Sequence, residues 1–238
     1  MKAVILAGGR GTRLAPYTTI FPKPLMPIGD KPILDIVIRQ LSHYGFTDIT
    51  LAVGYLSELL IAYFGDGERF GVTIRYSREE QPLGTAGPIA LVDGLDEPFL
   101  VMNGDVLTTL NFQELMEFHR SGTAVTTIAT YPRRVKIDLG VIEHDEHGVL
   151  TRYVEKPTHH YRVSMGIYIF DPRALTYIPR GQRLDLPDLL MRMVHSGETV
   201  RCYPHDGYWL DIGRVDDYQQ AVKDFEQNKE MFLPQTAV

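Results

Sequence analysis

The chain has 238 residues, of which 44% are hydrophobic and 23% are charged. This composition is ordinary for a folded globular protein and argues against global disorder. The one cysteine, Cys202, excludes an intrachain disulfide and a multi-cysteine metal site, and it indicates a reducing compartment. No apolar run reaches the length of a membrane span. The first apolar run ends at Gly8 and Gly9, so it does not have the pattern of a signal peptide. We therefore expect a cytoplasmic protein without membrane contact.

The formal net charge of −6 argues against a general nucleic-acid-binding surface. Its distribution is uneven, because residues 1–31 carry five basic side chains and one acidic side chain. These are Lys2, Arg10, Arg13, Lys23 and Lys31, against Asp30. A basic N-terminal segment on an acidic body indicates a local anion site, although chance clustering in so short a window explains the bias equally well.

The first half of the chain alternates short apolar runs with helical periodicity. The pattern predicts strands at 2–7, 48–53, 72–77 and 98–105, helices at 32–45, 57–64 and 111–120, and a helical start at 85–92. This alternation predicts a mainly parallel sheet that is covered on both faces. Ligands of such sheets bind at the carboxyl ends of the strands.

After residue 122 the pattern changes to successive strands with gaps too short for crossover helices. These strands are AVTTIATY (124–131), LGVIEH (139–144), GVLTRYVEK (148–156) and VSMGIYIF (163–170). A helix that begins at Asp171-Pro172 and an amphipathic helix at 186–194 come next. Strands in VRCYP and GYWLDIG and a last helix at 214–229 follow them. One α/β domain with a β-rich insertion fits this order. His159 and His160 are adjacent, and we assign them to a polar loop rather than to a metal site.

The segment GGRGTRL (8–14) directly follows the first predicted strand. Glycines there let backbone N–H groups approach a phosphate, although such a glycine turn is often only a turn. The segment is neither a dinucleotide fingerprint, because Leu14 occupies the third glycine position, nor a Walker motif. Arg13 adds a fork of donors that matches phosphate oxygens.

Lys23 lies between two prolines in FPKPLMP (21–27). The prolines remove backbone donors and hold the chain extended, so we expect a stiff loop that presents the lysine. Read alone, an exposed lysine in such a loop is a solvated charge.

Together these segments form GGRGTRLAPYTTIFPKPLMPIGDKPIL, which closely resembles the signature of sugar-1-phosphate nucleotidylyltransferases. Further pieces follow in the family order, namely PLGTAG (82–87), NGD (103–105), EKP (155–157), GIY (166–168) and WLDIG (209–213). The resemblance covers essentially the whole chain. It implies an α/β, Rossmann-like fold with a mixed, mainly parallel sheet, helices on both faces and a β-rich sugar-binding insertion.

Under this resemblance residues 1–238 are a single nucleotidyltransferase domain. The nucleotide-binding part spans about 1–122, the sugar-binding part about 123–212, and the C-terminal helix about 214–229. The implied substrates are a nucleoside triphosphate and a sugar 1-phosphate, which give a nucleotide-sugar and pyrophosphate. This reaction brings two anions together, so it needs positioning and charge neutralisation.

The resemblance assigns the catalytic roles to Arg13, Lys23, Asp105 and Asp211, with Asp105 and Asp211 also holding Mg²⁺. Read singly, either aspartate is equally a cap or turn residue. The implied nucleotide-binding residues are Leu6, Gly8, Gly9, Gly11, Thr12, Arg13, Glu80, Gly84, Thr85 and Gly104. The implied sugar-phosphate-binding residues are Gly140, Glu155, Lys156, Ser164 and Gly166.

The stretch REEQPLGTAGPIAL (78–91) most resembles the mannose-1-phosphate guanylyltransferases. A carboxylate such as Glu80 can accept both donors of guanine, whereas an amide such as Gln81 suits uracil or thymine, and both side chains are present. Ser164-Met165 replaces a common Asn-containing pair, and Ile137-Asp138-Leu139 precedes Gly140 where Pro-Tyr is common. We expect GTP and a mannose- or heptose-like sugar, with uridylyl, thymidylyl or cytidylyl transfer as alternatives.

Two other classes stay open. A catalytically silent, nucleotide-sugar-sensing subunit of the same fold would not need all four catalytic residues. A glycosyltransferase would lack the GGRGTRL and Pro-Lys-Pro pair and would usually carry Asp-x-Asp where this chain has Asn103-Gly104-Asp105-Val106-Leu107. A homo-oligomer is possible. The chain leaves no room for the C-terminal β-helix of longer family members, so we expect either a minimal enzyme or a fragment.

Overall fold

The computed structural model describes residues 1–233, so positions 234–238 of the expected single domain lie outside the described part. The strands are β1 (Lys2–Leu6), β2 (Pro27–Ile28), β3 (Lys31–Pro32), β4 (Asp48–Val53), β5 (Thr73–Arg78), β6 (Phe99–Asn103), β7 (Val106–Thr108), β8 (Thr126–Lys136), β9 (Val141–His144), β10 (Leu150–Val154), β11 (Thr158–Phe170), β12 (Val200–Pro204) and β13 (Trp209–Asp211). The α-helices are α1 (Ile33–His43), α2 (Ser57–Phe64), α3 (Phe112–Arg120), α4 (Leu186–His195), α5 (Val215–Gln227) and α6 (Lys229–Phe232).

Seven strands form the central sheet in the order β12-β8-β11-β6-β1-β4-β5. The strands β6, β1, β4 and β5 are parallel neighbours, β11 runs antiparallel to both β6 and β8, and β12 is parallel to β8. The apolar runs of β1 and β6 are buried because helices cover both faces of a parallel sheet. The predicted mixed, mainly parallel α/β sheet is confirmed.

Apolar side chains of α1, α2 and α3 pack on one face of this sheet. The opposite face packs against α4 and against two 3-10 segments, Gly87–Leu91 and Pro172–Tyr177. A third apolar cluster joins α1 to α5, α6 and the short strand β7. This third cluster lies behind the β7–β13 pair, which carries part of the site described below.

The segment predicted to be helical at 85–92 forms only a 3-10 turn. Its first N–H groups, on Ala86 and Gly87, donate to the Leu184 carbonyl at 2.9 and 3.1 Å. Pro88 supplies no donor. The backbone of this segment is therefore committed to a neighbouring loop rather than to an α-helix.

The prediction of a loop at His159 and His160 is wrong, because β11 begins at Thr158. These histidines pair with Val135 and Arg134 of β8, so they extend a two-stranded ribbon beyond the central sheet. Adjacent residues of a strand point to opposite faces. The hairpin of β9 and β10 turns between His144 and Leu150 and forms a separate two-stranded sheet.

Among residues 1–233, no helix is both long and apolar enough to cross a membrane.

Candidate active site

A cavity of about 750 Å³ opens at the carboxyl ends of β1, β4 and β6. This is the edge at which a doubly covered parallel sheet binds ligands. Its lining contains all ten residues of the expected nucleotide set: Leu6, Gly8, Gly9, Gly11, Thr12, Arg13, Glu80, Gly84, Thr85 and Gly104. Lys23 and Asp105 line the same cavity. The structure thus brings residues from five separate segments of the sequence to one concave surface.

The glycine loop after β1 is held from both sides. A β-carbon at Gly8 would lie 2.9 Å from Oε1 of Glu79, so only glycine fits there without displacing that carboxylate. Gly11 has a φ of +62°, and its carbonyl accepts a hydrogen bond from Thr18 Oγ1 at 2.7 Å. Gly9 faces open space, and the side chain of Arg13 is exposed. The loop therefore presents backbone and guanidinium to the cavity.

Lys23 does not sit in an extended loop as expected. Pro22 is extended, but Lys23–Leu25 forms a 3-10 turn in which Met26 N–H donates to the Lys23 carbonyl. This turn carries the lysine inward, so its side chain is buried and forms an ion pair with Oδ2 of Asp105. Burial also excludes the alternative of a solvated surface charge.

The basic N-terminal segment divides between two places. Arg10, Arg13 and Lys23 line the cavity. Lys2 instead pairs with Asp96 near the start of β1, and Lys31 lies 3.4 Å from Asp30. Only three of the five basic residues of the N-terminal segment therefore line the cavity, where the charge bias led us to expect an anion site.

Asp105 and Asp211 are 106 positions apart in the sequence, and strand pairing brings them together. β7 and β13 are antiparallel with Asp211 opposite Val106, and Ile212 N–H donates to the Asp105 carbonyl at 3.1 Å. Burial raises the pKa of Asp211, and the nearby Asp105 raises it further, while Lys23 and Arg13 oppose the shift. Negative charge is therefore costly at Asp211 unless a cation compensates it.

Arg13 reaches this pair from the glycine loop. A β-carbon placed at Gly213 would lie 3.2 Å from Asp211 Oδ2 and 3.3 Å from Arg13 Nη1. Gly213 therefore leaves room for both groups at one point. All four residues expected to be catalytic meet beside the cavity.

The two carboxylates fit a divalent cation. Oδ1 of Asp105 is buried and has no hydrogen-bond partner among the described residues. A buried carboxylate oxygen without a partner is costly, and a metal ion would satisfy it. No group of three or more His, Cys, Asp or Glu side chains with metal-binding geometry occurs within residues 1–233. Mg²⁺ needs no such group, since one or two carboxylates and substrate phosphates hold it.

The loop of Gly84 and Thr85 is fixed by the start of α4. A β-carbon at Gly84 would lie 2.6 Å from the Leu184 carbonyl, and Gly84 has a φ of +78°. Thr85 accepts a hydrogen bond from Leu186 N–H at 2.8 Å, and its own N–H donates to Asp185 at 3.1 Å. The Thr85 hydroxyl therefore holds the loop, while its backbone borders the cavity.

Two neighbouring glutamates in the stretch expected to shape the base pocket have different surroundings. Glu79 accepts a hydrogen bond from Leu83 N–H at 3.0 Å and packs against Gly8, so it joins the two loops. Glu80 and Gln81 are exposed and line the cavity. Tyr76, on β5 just before this stretch, donates to the Gly65 carbonyl. The sequence did not point to Glu79, because a residue that links two loops has its partners far away and leaves no pattern in the neighbouring sequence.

Part of the expected sugar set lies next to the cavity. Gly166 has a φ of +71°, and a β-carbon there would lie 2.6 Å from Nδ2 of Asn103, which lines the cavity. Ser164 is exposed, and its hydroxyl lies 2.9 Å from that of Tyr168 and accepts from Gly166 N–H. Met165 is buried in the opposite core, so it does not fill the space near Ser164. Asn103 was not among the predicted residues, although it is part of the quoted NGD motif.

Gly140, Glu155 and Lys156 are not part of the cavity lining. They lie near Tyr153, whose hydroxyl donates to Glu155 Oε2 at 3.0 Å. The same hydroxyl occupies the space that a β-carbon at Gly140 would need. Lys156 has a φ of +44° and lies 3.9 Å from Glu155. The structure therefore groups these three residues together on the insertion, and Tyr153 is an unpredicted member of the group.

The site thus belongs to an α/β protein with a mainly parallel sheet, whose carboxyl edge gathers three cations, two carboxylates and a glycine loop. The chain belongs to the family described as Nucleotidyl transferase, which it matches over residues 2–228. This membership confirms the resemblance found in the sequence.

Individual relatives differ in the nucleotide that their names specify. The chain is 38% identical over 243 residues to a UTP–glucose-1-phosphate uridylyltransferase of Synechocystis sp., covering 94% of this chain and 63% of that protein. It is also 38% identical over 232 residues to a mannose-1-phosphate guanyltransferase of Debaryomyces hansenii, covering 92% of this chain and 62% of that protein. The chain thus spans about three fifths of the length of these curated relatives.

Among solved structures, HddC from Yersinia pseudotuberculosis superposes with a TM-score of 0.73 at 26% identity, covering 94% of this chain and 99% of that one. The two chains therefore share their fold over most of their length.

Proposed function

We propose that the chain is a sugar-1-phosphate nucleotidyltransferase that uses GTP in preference to other triphosphates. A phosphate oxygen of the sugar 1-phosphate attacks the α-phosphorus of the nucleotide. The bond from that phosphorus to the bridging oxygen of the β-phosphate breaks, and pyrophosphate leaves with the electron pair. The observation that supports this reaction is the meeting of Arg13, Lys23, Asp105 and Asp211 beside the cavity.

The residues present match the electrostatic demand of this reaction. Two anions must approach each other, and pyrophosphate gains charge as it leaves. Arg13 offers a bidentate fork to the phosphate tail, and Lys23 supplies a buried point charge. Glycine-loop N–H groups add neutral donors at the same wall. Asp105 and Asp211 would hold Mg²⁺, which supplies further neutralisation of the phosphates when it is bound.

The carboxylate of Glu80 supports the preference for guanine. It is exposed within the cavity lining, and among residues 1–233 no hydrogen bond or salt bridge engages its carboxylate, which can therefore accept the two donors of a guanine edge. Glu79, by contrast, is committed to Leu83 and the glycine loop. Among the two adjacent glutamates, Glu80 is therefore the one positioned for base recognition.

Uridylyl transfer is the second candidate. It is favoured by the relative from Synechocystis sp., whose name specifies UTP and which is as similar as the named guanyltransferase. Gln81 lines the cavity beside Glu80 and offers both an amide donor and an acceptor. A uracil edge needs that combination.

The test is a matrix of five nucleoside triphosphates against mannose, glucose and heptose 1-phosphates, with pyrophosphate release as the readout. We expect release only when both substrates are present, with the highest kcat/KM for GTP. Highest activity with UTP would replace the guanylyl assignment by the uridylyl one. Binding of nucleotides without turnover in any combination would indicate a silent, nucleotide-sensing protein.

Arg13→Lys separates charge from geometry in the same assay. We expect it to lower kcat/KM by about 10²-fold, because a point charge does not replace the bidentate fork. The matched control is Arg120→Lys, an exposed arginine at the end of α3 and away from the cavity lining. Equal activity of Arg13→Lys and the control would refute the role of the fork.

A further inference from the structure

A small polar cluster lies on the hairpin of the insertion. Gly140 precedes β9, and Glu155 and Lys156 follow β10. The two strands are antiparallel with Tyr153 opposite Ile142, so Glu155 comes beside Gly140 two residues further along. Because side chains alternate along a strand, Tyr153 and Glu155 point to the face on which Gly140 lies. We call Gly140, Glu155 and Lys156 the insertion cluster.

The phenol of Tyr153 covers the backbone of Gly140. A β-carbon at Gly140 would overlap the Tyr153 hydroxyl oxygen and would lie 2.6 Å from Cζ of the same ring. A glycine at this position therefore leaves just the room that the phenol fills. Another group can reach Gly140 from this face only if the Tyr153 side chain moves away.

The Tyr153 hydroxyl also occupies the carboxylate of the insertion cluster. It donates to Oε2 of Glu155 at 3.0 Å, while Oε1 of Glu155 lies 3.9 Å from Nζ of Lys156. Lys156 has a φ of +44°, a backbone conformation that is costly for a residue with a side chain and that recurs at ligand sites. A carboxylate acceptor and an ammonium group thus lie side by side, with a phenol hydroxyl bound to the acceptor.

A sugar 1-phosphate needs the same groups that the phenol now uses. Sugar hydroxyls donate to a carboxylate, as the Tyr153 hydroxyl does, and a phosphate pairs with an ammonium. A sugar that donates to Glu155 and approaches Gly140 therefore requires the hydrogen-bond acceptor and the space that Tyr153 occupies. The phenol and the sugar exclude each other.

Little holds the phenol in place. Tyr153 is 57% exposed and belongs to none of the three apolar clusters of the core. Within residues 1–233 its hydroxyl makes a single hydrogen bond, the one to Glu155. Exposed side chains change rotamer within nanoseconds. Uncovering Gly140 therefore requires the loss of one surface hydrogen bond and no rearrangement of the core.

We propose that Tyr153 sets the affinity for the sugar 1-phosphate by competing with it for the insertion cluster. The phenol covers Gly140 and engages Glu155 while no sugar is bound, and the sugar displaces it. This inference rests on the proposed function, because it takes the insertion cluster as the place where the sugar phosphate binds. Only the fraction of molecules with a displaced phenol binds sugar, so the covered state weakens the apparent affinity.

The test measures binding of glucose 1-phosphate and mannose 1-phosphate by calorimetry, with and without α,β-methylene analogues of GTP and UTP that cannot react. Y153F keeps the ring but removes the hydrogen bond to Glu155, and Y153A removes the ring as well. We expect both variants to bind the sugar phosphate about three- to ten-fold more tightly than the wild type, since the uncovered fraction rises. In turnover the effect should appear in the KM for the sugar phosphate rather than in kcat.

The matched control is Y161F, which removes the hydroxyl of another exposed tyrosine of the insertion, on β11. It should bind the sugar phosphate as the wild type does. Circular dichroism verifies that each variant is folded. If Y153A does not fold, Y153F decides, because it retains the ring opposite Ile142.

Nuclear magnetic resonance of the protein with ¹³C-labelled tyrosine follows the phenol directly. The chain has 13 tyrosines, and the signal that is missing in Y153F belongs to Tyr153. Sugar phosphate should move this signal toward that of a free tyrosine side chain, because the ring leaves Gly140. The Tyr161 signal, which is identified through Y161F, should stay where it is.

A Kd for Y153F equal to or above that of the wild type overturns the proposal. So does a Tyr153 signal that stays in place at saturating sugar phosphate, or the absence of any sugar phosphate binding. Failure of the proposed function gives a different result. If no substrate pair releases pyrophosphate while Y153F still tightens sugar phosphate binding, the reaction is wrong and the competition stands. Pyrophosphate release with the same KM for Y153F and the wild type refutes the competition alone.

Discussion

Asp211 is a carboxylate whose surroundings disfavour its charge. Burial and Asp105 raise its pKa above the ordinary aspartate value, which the unfolded chain retains. The folded state therefore binds the Asp211 proton more tightly than the unfolded state does, so ionisation of Asp211 lowers stability at neutral pH. This cost disappears as the pH falls and the group is protonated in both states.

We predict that Asp211→Asn abolishes turnover and yet raises the Tm at neutral pH. The gain in Tm should be largest at neutral pH and should shrink as the pH falls toward the ordinary aspartate pKa of about 3.9, because the wild-type carboxyl group is then neutral in both states. Thermal unfolding across this pH range measures the effect, with the exposed Asp93→Asn as control. A lower Tm for Asp211→Asn at pH 8 would contradict the raised pKa, and full activity would contradict the metal assignment.

Ser164 belongs to the predicted sugar site, and its surroundings in the structure bear on sugar choice. Its hydroxyl is committed to Tyr168 and to Gly166 N–H. Met165 packs into the opposite core, which leaves the space beside Ser164 open. Serine at position 164 therefore offers a plain hexose fewer polar groups than an asparagine at the same position would offer.

We predict that Ser164→Asn shifts kcat/KM toward mannose or glucose 1-phosphate by about ten-fold or more relative to the native sugar, because one polar contact is worth about 1–3 kcal/mol. The measurement is kcat/KM for three sugar phosphates with both proteins. Ser196→Asn, at the end of α4, is the control. An unchanged ratio would mean that Ser164 does not face the sugar.

At the scale of elements, the loop between β5 and the 3-10 turn at Gly87–Leu91 depends on α4 for its shape. Gly84 and Gly148 both have positive φ, +78° and +81°. A β-carbon at Gly84 would meet Leu184 and Asp185 at 2.6 Å, whereas one at Gly148 would meet nothing within 4 Å. The two positions therefore separate backbone strain from packing against a neighbouring element.

We predict that Gly148→Ala costs about 1 kcal/mol of unfolding free energy, because a left-handed backbone disfavours a side chain. Gly84→Ala should cost a further ~1–3 kcal/mol, since the loop must also move away from α4. Urea denaturation of both variants measures the difference, and the KM for the triphosphate should rise only for Gly84→Ala. Equal stability losses would show that the contact with α4 contributes nothing.

For the molecule as a whole, the C-terminal helices complete the support of the site. Phe232 of α6 is buried against Phe225 and Tyr208, and its carbonyl accepts from Gln40 Nε2 at 3.0 Å. The same Gln40 donates to the carbonyl of Thr108 in β7, at 2.8 Å. The end of the described chain is thus linked through α1 to the strand that follows Asp105.

We predict that Phe232→Ala lowers the unfolding free energy by about 3–5 kcal/mol through the cavity it leaves. Met231→Ala, the exposed neighbour, should change stability by no more than about 0.5 kcal/mol. Denaturation gives both values. Titration of activity with Mg²⁺ should show that only Phe232→Ala needs a higher Mg²⁺ concentration for half-maximal activity. Similar stability for the two variants would contradict a supporting role of α6.

Hydrophobic periodicity and contiguous motifs were enough to predict the class of fold, many element bounds and the family. DITLAV and SELLIAYF lie at β4 and α2 with the bounds that the pattern predicts, because hydrophobic periodicity is a local property. The glycine loop and the Pro-Lys-Pro segment were recognisable for a similar reason. Their residues are contiguous, so the chemistry of a phosphate site is visible in a single stretch of chain.

The meeting of distant segments is visible in the folded chain and could not be predicted from local patterns. The register of β7 on β13 sets Asp211 beside Asp105, and the 3-10 turn buries Lys23 against the same carboxylate. The histidines of β11 form a strand because β8 extends to pair with them. The joining role of Glu79 likewise exists only between folded loops. Each of these features depends on partners far away in sequence, and local patterns carry no information about such partners.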